Sequence, residues 1–384
     1  MVFVAAVLIV LPALGVVGTF LHGVPYVGLA TAYVLGYLPW LLVVAGLGGA
    51  LALFSWTRRR GRIAAALVVV SLLTIVGGSV VTARMTAAVE HAGADIDLAK
   101  TFGVGQPKSA RPDAEATYSS FDGEPLQLSI YAPAGSSLDS RAPVLVFIHG
   151  GGWIGGDRSA NSDDLRWFAD KGWLAISVDY ALSSDNRHLW DVTQGQIGCA
   201  LAWLADNVER YGGDASRLSL SGDSAGGNLA INAGFMAAGG TLTSSCGGRI
   251  PTVAAVSALY PAVDPAGVYD NPDPVLGGHA RDMVGAYTGG SPRDYPERYE
   301  VIGARAHIDA DGPPTLMILA GGDHLVPNDG AYEFADLARA AGVEVELVTV
   351  PYADHAFDAR PGSIGEQAYR QLTAQWFRSH GQAP

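Results

Sequence analysis

Apolar and polar positions follow two different rhythms along the chain, and the change falls near residue 85. From Val2 to Leu21, Val27 to Trp56 and Ile63 to Thr82, no Lys, Arg, Asp or Glu interrupts the apolar run. A helix of roughly 20 residues crosses the hydrocarbon core of a bilayer, so these runs predict three transmembrane helices, with two or four as the alternatives. Glycines and Pro39 in the second run would weaken a soluble helix but are tolerated in a membrane one. A cleaved signal peptide is the competing reading of the first run. "MVF" supplies no basic segment for it, and no small-residue cleavage site follows.

Residues 86–115 are polar, contain Ala, Gly and Pro, and keep neither a period of 2 nor one of 3.6, which predicts a linker. From about Ala116 short β-branched runs alternate with amphipathic stretches, the pattern of parallel sheet units. Strands are expected at "LQLSIYA" from Leu126, "PVLVFIH" from Pro143, "WLAISVDY" from Trp173, "RLSLSG" from Arg217, "VAAVSALY" from Val253, "TLMILAG" from Thr315 and "VEVELVTV" from Val343. Helices are expected over about 162–170, 191–211, 224–238, 329–341 and 364–379. Residues 116–384 thus read as one large α/β domain behind a membrane anchor at 1–85. The stretch from Pro261 to Gly312, rich in Pro, Gly, Asp and Tyr, shows no clear element and is expected to wall a binding site.

Charge separates along the same boundary. The chain has 384 residues and a formal charge of −13; the first 85 carry five Arg and no acidic side chain, which leaves 19 basic against 37 acidic residues beyond them. The cluster "RRRGR" (Arg58 to Arg62) should remain cytoplasmic by the positive-inside rule. Residues after about Thr82 then lie outside the cell membrane, as does the short loop "HGVPY" (His22 to Tyr26). An acidic domain repels nucleic acid, so that partner is excluded. No ionisable residue interrupts a span, which argues for anchoring over transport. The two cysteines, Cys199 and Cys246, both fall in the part expected outside, where a disulfide or two buried thiols are the alternatives.

Within the α/β part, Gly222-Asp223-Ser224-Ala225-Gly226 fits G-x-S-x-G between a strand and a helix. Small residues two before and two after let the chain turn sharply enough to hold Ser224 strained and exposed as a nucleophile. A serine needs a proton acceptor, usually an imidazole held by a carboxylate. Among nine histidines, His355 in "YADHAFD" follows the last expected strand, in the chain order Ser, Asp, His. Asp323 in "GGDHLVP" follows the preceding strand and is the expected acid, with Asp354 and Asp329 as rivals. "HGGGWIGGD" (His149 to Asp157) leaves a strand through three glycines, as a backbone that must approach a developing oxyanion would. Gly151, Gly152 and Ala225 are the expected oxyanion-hole donors, with His149 and Trp153 fixing the loop. Trp153, Asp223, Tyr260 and His324 flank these motifs and are expected to border the substrate.

Taken together, "HGGGW…GD", "VDYAL", "GDSAGGNLA", "DHLVP" and "HAF" resemble the α/β-hydrolase esterases, in particular the hormone-sensitive-lipase-like group and the bacterial feruloyl and acetylxylan esterase (BD-FAE) type. The resemblance covers about Ala116 to the C-terminus. It implies a mostly parallel sheet flanked by helices and carboxylic-ester hydrolysis through Ser224, Asp323 and His355, without metal or cofactor. Where relatives usually read "VDYRLAPE", this chain has "VDYALSSDNRHLW", and the three spans lie outside the shared region. A membrane-anchored esterase is the leading expectation, acting on a small acyl, acylated-carbohydrate or lipid ester. An acyltransferase using the same acyl-enzyme is the alternative, and a non-catalytic scaffold is disfavoured by the intact motifs.

Overall fold

The computed structural model describes residues 1–103, 110–133 and 141–384, with the backbone alone at 30–33. Residues 104–109 of the expected linker lie outside the described residues. Contacts divide the chain into two compact units; the first holds the N-terminal helices together with 320–324 and 349–369, and the second holds most of the α/β part.

The first unit begins with α1 (Val2–Phe20), α2 (Val27–Leu35), α3 (Leu38–Arg59) and α4 (Arg62–His91). Three of them, α1, α3 and α4, are long and apolar enough to cross a membrane. The second apolar run does not form a single helix. Pro39 has no N–H, and its ring would strike the carbonyl four residues back, so the chain breaks at Gly36–Tyr37 and α3 restarts with the proline in its first turn. Helix α4 outruns the apolar stretch by nine residues, because "RMTAAVEH" is rich in good helix formers. It stops where Gly93 takes φ +105 and the Ala94 amide donates to the Val89 carbonyl. Small residues bring α3 and α4 close: the Ser71 hydroxyl donates to the Ala45 carbonyl at 2.8 Å, and a Cβ on Gly78 would fall 2.4 Å from Leu42.

The second unit is built on an eight-stranded sheet of order β1-β2-β4-β3-β5-β6-β7-β8. The strands are β1 (Ala114–Phe121), β2 (Glu124–Tyr131), β3 (Ala142–Ile148), β4 (Leu174–Val178), β5 (Gly213–Asp223), β6 (Val253–Leu259), β7 (Thr315–Ala320) and β8 (Val345–Val350). Pairing is antiparallel for β1–β2 and β2–β4 and parallel for β3–β4, β3–β5, β5–β6 and β6–β7. Strand β1 is additional to the seven expected. It joins β2 through Asp122-Gly123, both at positive φ, as a tight hairpin with matching twist requires. Every residue of β3, β4 and β7 is buried, as in sheets covered on both faces.

Covering helices are α5 (Ser162–Asp170), α6 (Thr193–Asn207), α7 (Ser224–Ala238), α8 (Pro265–Tyr269), α9 (Gly277–Thr288), α10 (Pro296–Ile302), α11 (Asp329–Ala340) and α12 (Ile364–Ser379). The region from Pro261 to Gly312 is thus largely helical, in α8, α9, α10 and a final 3-10 turn. Two of its prolines, Pro265 and Pro296, stand in the first turns of α8 and α10, where a missing N–H costs nothing.

Cys199 on α6 is bonded to Cys246, 47 positions away in sequence, with Cα atoms 5.3 Å apart. Closing a loop of that length restricts the unfolded chain. Replacing both cysteines by alanine is expected to lower unfolding free energy by roughly 4 kcal/mol, read as a lower urea midpoint together with a steeper slope as the unfolded chain expands.

Candidate functional site

Strand β5 ends at Asp223, and α7 starts at Ser224 with no residue between them. The turn forces Ser224 to φ +52, a backbone that a side-chain-bearing residue holds only at a cost of about 1–3 kcal/mol. The reason for glycine on either side is steric. A Cβ on Gly222 would lie 2.4 Å from the Gly226 carbonyl, and one on Gly226 would lie 2.0 Å from that of Ile148. Ser224 is 9% exposed, so the residue is largely sheltered from solvent.

Beside this turn, β3 releases the glycine loop. Gly151 and Gly152 take φ +111 and +61, and among the described residues no protein acceptor receives either amide. Ala225 lies in the first turn of α7, whose amides have no partner within the helix. The loop is held from three sides. The Gly150 amide donates to the Asp223 carboxylate at 2.7 Å, the Tyr180 hydroxyl donates to the His149 carbonyl at 2.9 Å, and the indole of Trp153 stacks on Tyr287 at 4.7 Å between centroids. His149 itself is stacked on Tyr180 at 4.3 Å. Burial pushes the His149 imidazole pKa down, with the Gly150 carbonyl opposing, so this ring serves as neutral packing.

A Cβ on Gly151 would meet the Gly155 carbonyl at 2.2 Å, whereas one on Gly152 would meet the flexible Met283 side chain at 2.5 Å. Gly151→Ala is therefore expected to lower kcat for ester hydrolysis by about 10²–10³, the cost of displacing an oxyanion donor. Gly152→Ala should cost less, because Met283 can turn away. Steady-state kinetics on both variants check the contrast.

The first unit carries the acid and base candidates. His355 Nδ1 lies 2.8 Å from Asp323 Oδ2, and the Asp323 side chain is 0% exposed. The rival Asp354 addresses His355 differently: its Oδ1 accepts the backbone amide of His355 at 2.7 Å and that of His324 at 2.9 Å. One buried carboxylate thus holds the loop after β7 and the loop after β8 in register. This role was not visible in the sequence, where Asp354 was read only as a competitor for the acid; an aspartate directly before the base was the available signal. Asp354→Ala is expected to lower kcat by about a hundredfold through misplacement of the pair. Asp354→Asn keeps an oxygen acceptor and should lose much less, a difference that kinetics on the two variants would read.

The four expected substrate neighbours fall in different surroundings. Trp153 is 2% exposed and stacked, Asp223 is engaged with Gly150, and Tyr260 is 3% exposed with its amide donating to Ile318. The first two brace the glycine loop. His324 is half-buried and points toward Asp354. The altered stretch after "VDYAL" docks on α9, with His188 Nδ1 2.7 Å from the Ala286 carbonyl.

Comparison with known proteins gives a consistent result. The chain is 30% identical to Esterase LipC of Mycobacterium tuberculosis over 58% of its own length and 55% of that protein. It is 28% identical to the probable carboxylic ester hydrolase LipM of the same organism, over 64% of this chain and 56% of that one. The chain therefore spans about half the length of these curated relatives. Ethyl acetate hydrolase of Pseudomonas putida is 29% identical over 68% of this chain and 80% of the relative. Among solved structures, the propionate-bound thermophilic esterase of Thermogutta terrifontis superposes with a TM-score of 0.59 at 23% identity, over 72% of this chain and 97% of that one; it shows the shared α/β-hydrolase fold. The BD-FAE family model matches residues 128–337, which hold the glycine loop, the Ser224 turn and Asp323. With more than half its length matched and the sheet in the order that fold requires, the chain belongs to the BD-FAE family.

Proposed function

We propose that this protein is a membrane-anchored serine carboxylic-ester hydrolase. The carrying observation is the strained Ser224 at the strand-to-helix turn; support comes from the buried Asp323–His355 pair and from relatives named esterase and carboxylic ester hydrolase. His355 takes the Ser224 proton as the hydroxyl attacks the ester carbonyl. Asp323 holds the imidazole in the required tautomer and stabilises the imidazolium. The amides of Gly151, Gly152 and Ala225 receive the oxyanion. Collapse expels the alcohol, protonated by His355, and a water activated by the same imidazole then releases the acid.

Helices α1, α3 and α4 serve as the anchor, and α2, with 9 residues, is too short to span. Arginines at the α3–α4 junction favour a cytoplasmic turn there. The bonded Cys199–Cys246 pair favours an oxidising compartment for the α/β part, which supports a reaction outside the cytoplasmic membrane. Substrates are esters of carboxylic acids, of the small acyl, acylated-carbohydrate or lipid type.

The full chain in detergent is to be assayed on p-nitrophenyl esters from acetyl to palmitoyl. Turnover with a trapped acyl-enzyme supports the reading, and the best chain length separates acetyl-type from lipid-type substrates. Absence of both turnover and acyl-enzyme across the series overturns it.

A further inference from the structure

Three segments of the first unit converge at a point that ester hydrolysis does not use. His22 comes from the turn between α1 and α2, His324 from the loop after β7, and Asp354 from the loop after β8. Each offers one ligating atom, and these atoms lie within 4.8 Å of one another. Donors 2.0–2.2 Å from one tetrahedral ion stand about 3.3–3.6 Å apart, so side-chain shifts of about 1 Å bring the set to coordination distance. The two imidazole rings already lie side by side, with centroids 4.0 Å apart and planes inclined by 53°.

The surroundings of His324 match those of a ligating histidine. Its Nε2 lies 3.1 Å from the His22 carbonyl oxygen, an acceptor that holds the proton on that nitrogen. Its Nδ1 edge is turned to Asp354 Oδ2, so the nitrogen and the carboxylate that would share an ion already address each other. A histidine bound to a metal through one nitrogen typically donates its other N–H to a carbonyl in this way. Asp354 is likewise oriented, because its second oxygen is occupied by the amides of His324 and His355.

The backbone has also been left bare for His22: a Cβ on Gly322 would lie 2.1 Å from its Nε2. Any side chain at that position would displace the ring from the cluster.

We propose that His22, His324 and Asp354 bind one divalent transition ion of the zinc class, with water completing the coordination. Two imidazoles and one carboxylate suit zinc or cobalt; calcium and magnesium favour all-oxygen sets, and copper(I) favours sulfur. The ion fastens the turn between the first two helices to the two loops that carry Asp323 and His355. It takes no part in the ester chemistry, so the proposal stands apart from the assignment of Ser224.

The test uses the full chain in detergent micelles, in a Ser224→Ala background that removes turnover from the readout. After chelator treatment, the protein is titrated with cobalt(II), whose visible absorption reports nitrogen and oxygen coordination, and the cobalt is then displaced with zinc. A single equivalent is expected to bind, with affinity falling at least about tenfold in both His22→Gln and His324→Gln, substitutions that keep side-chain length and polarity. Circular dichroism and thermal melting establish that each variant is folded. Absence of a cobalt band at millimolar metal, or a band of unchanged affinity in both folded variants, overturns the site.

Discussion

Ser224→Ala is expected to lower kcat/KM on p-nitrophenyl esters by about 10⁶, because loss of the nucleophile removes the covalent route altogether. Any remaining rate reflects substrate binding and oxyanion stabilisation alone. Intact-mass spectrometry should show no acyl adduct in this variant, whereas the parent gains the mass of the acyl group. A companion change tests the strain separately. Alanine retains a Cβ at φ +52, but glycine does not, so Ser224→Gly should be as inactive and about 1 kcal/mol more stable than Ser224→Ala. Equal melting temperatures for the two would remove the strain argument. Full activity in either would remove Ser224 from the mechanism.

Asp323→Asn carries the next largest effect, a fall in kcat of about 10⁴ with the fold intact. The cause is tautomeric. Asp323 accepts from Nδ1 of His355 at 2.8 Å and leaves Nε2 able to take a proton. An asparagine amide can donate to Nδ1 instead, which shifts the ring proton to Nε2 and blocks the base. The Asp323 side chain is wholly buried, so no water substitutes for the lost carboxylate. The same kinetics should separate the two aspartates. If Asp354→Asn loses as much as Asp323→Asn, or if Asp323→Asn retains near-parental kcat, the assignment of the acid fails.

The elements that the chain announced best are those whose signal is local. Strands β3 and β4 are continuous apolar runs between breakers, and α5, α7 and α12 begin and end where their periodicity does. The Ser224 turn was legible because sterics at a strand-to-helix junction demand small residues at fixed offsets. Elements missed or altered were those whose signal is shared with loops. Strand β1 alternates weakly because its residues are mostly half-exposed, and α8 and α10 begin at prolines. The second apolar run hid its break for the opposite reason, since hydropathy does not register the missing N–H of Pro39.

Local order and residue type were enough to predict an α/β-hydrolase chain behind three apolar helices, the strand-to-helix turn at Ser224 and the glycine loop after β3, because each depends on neighbours a few positions away. Distances across the chain were decided only by folding. The Cys199–Cys246 bond, the choice of Asp323 over Asp354 as partner of the His355 ring, and the stacking of Trp153 on Tyr287 each join residues 32 to 134 positions apart. The meeting of His22 with His324 spans 302 positions. No periodicity encodes such pairs; they exist because packing and hydrogen-bond satisfaction bring separate segments to one place.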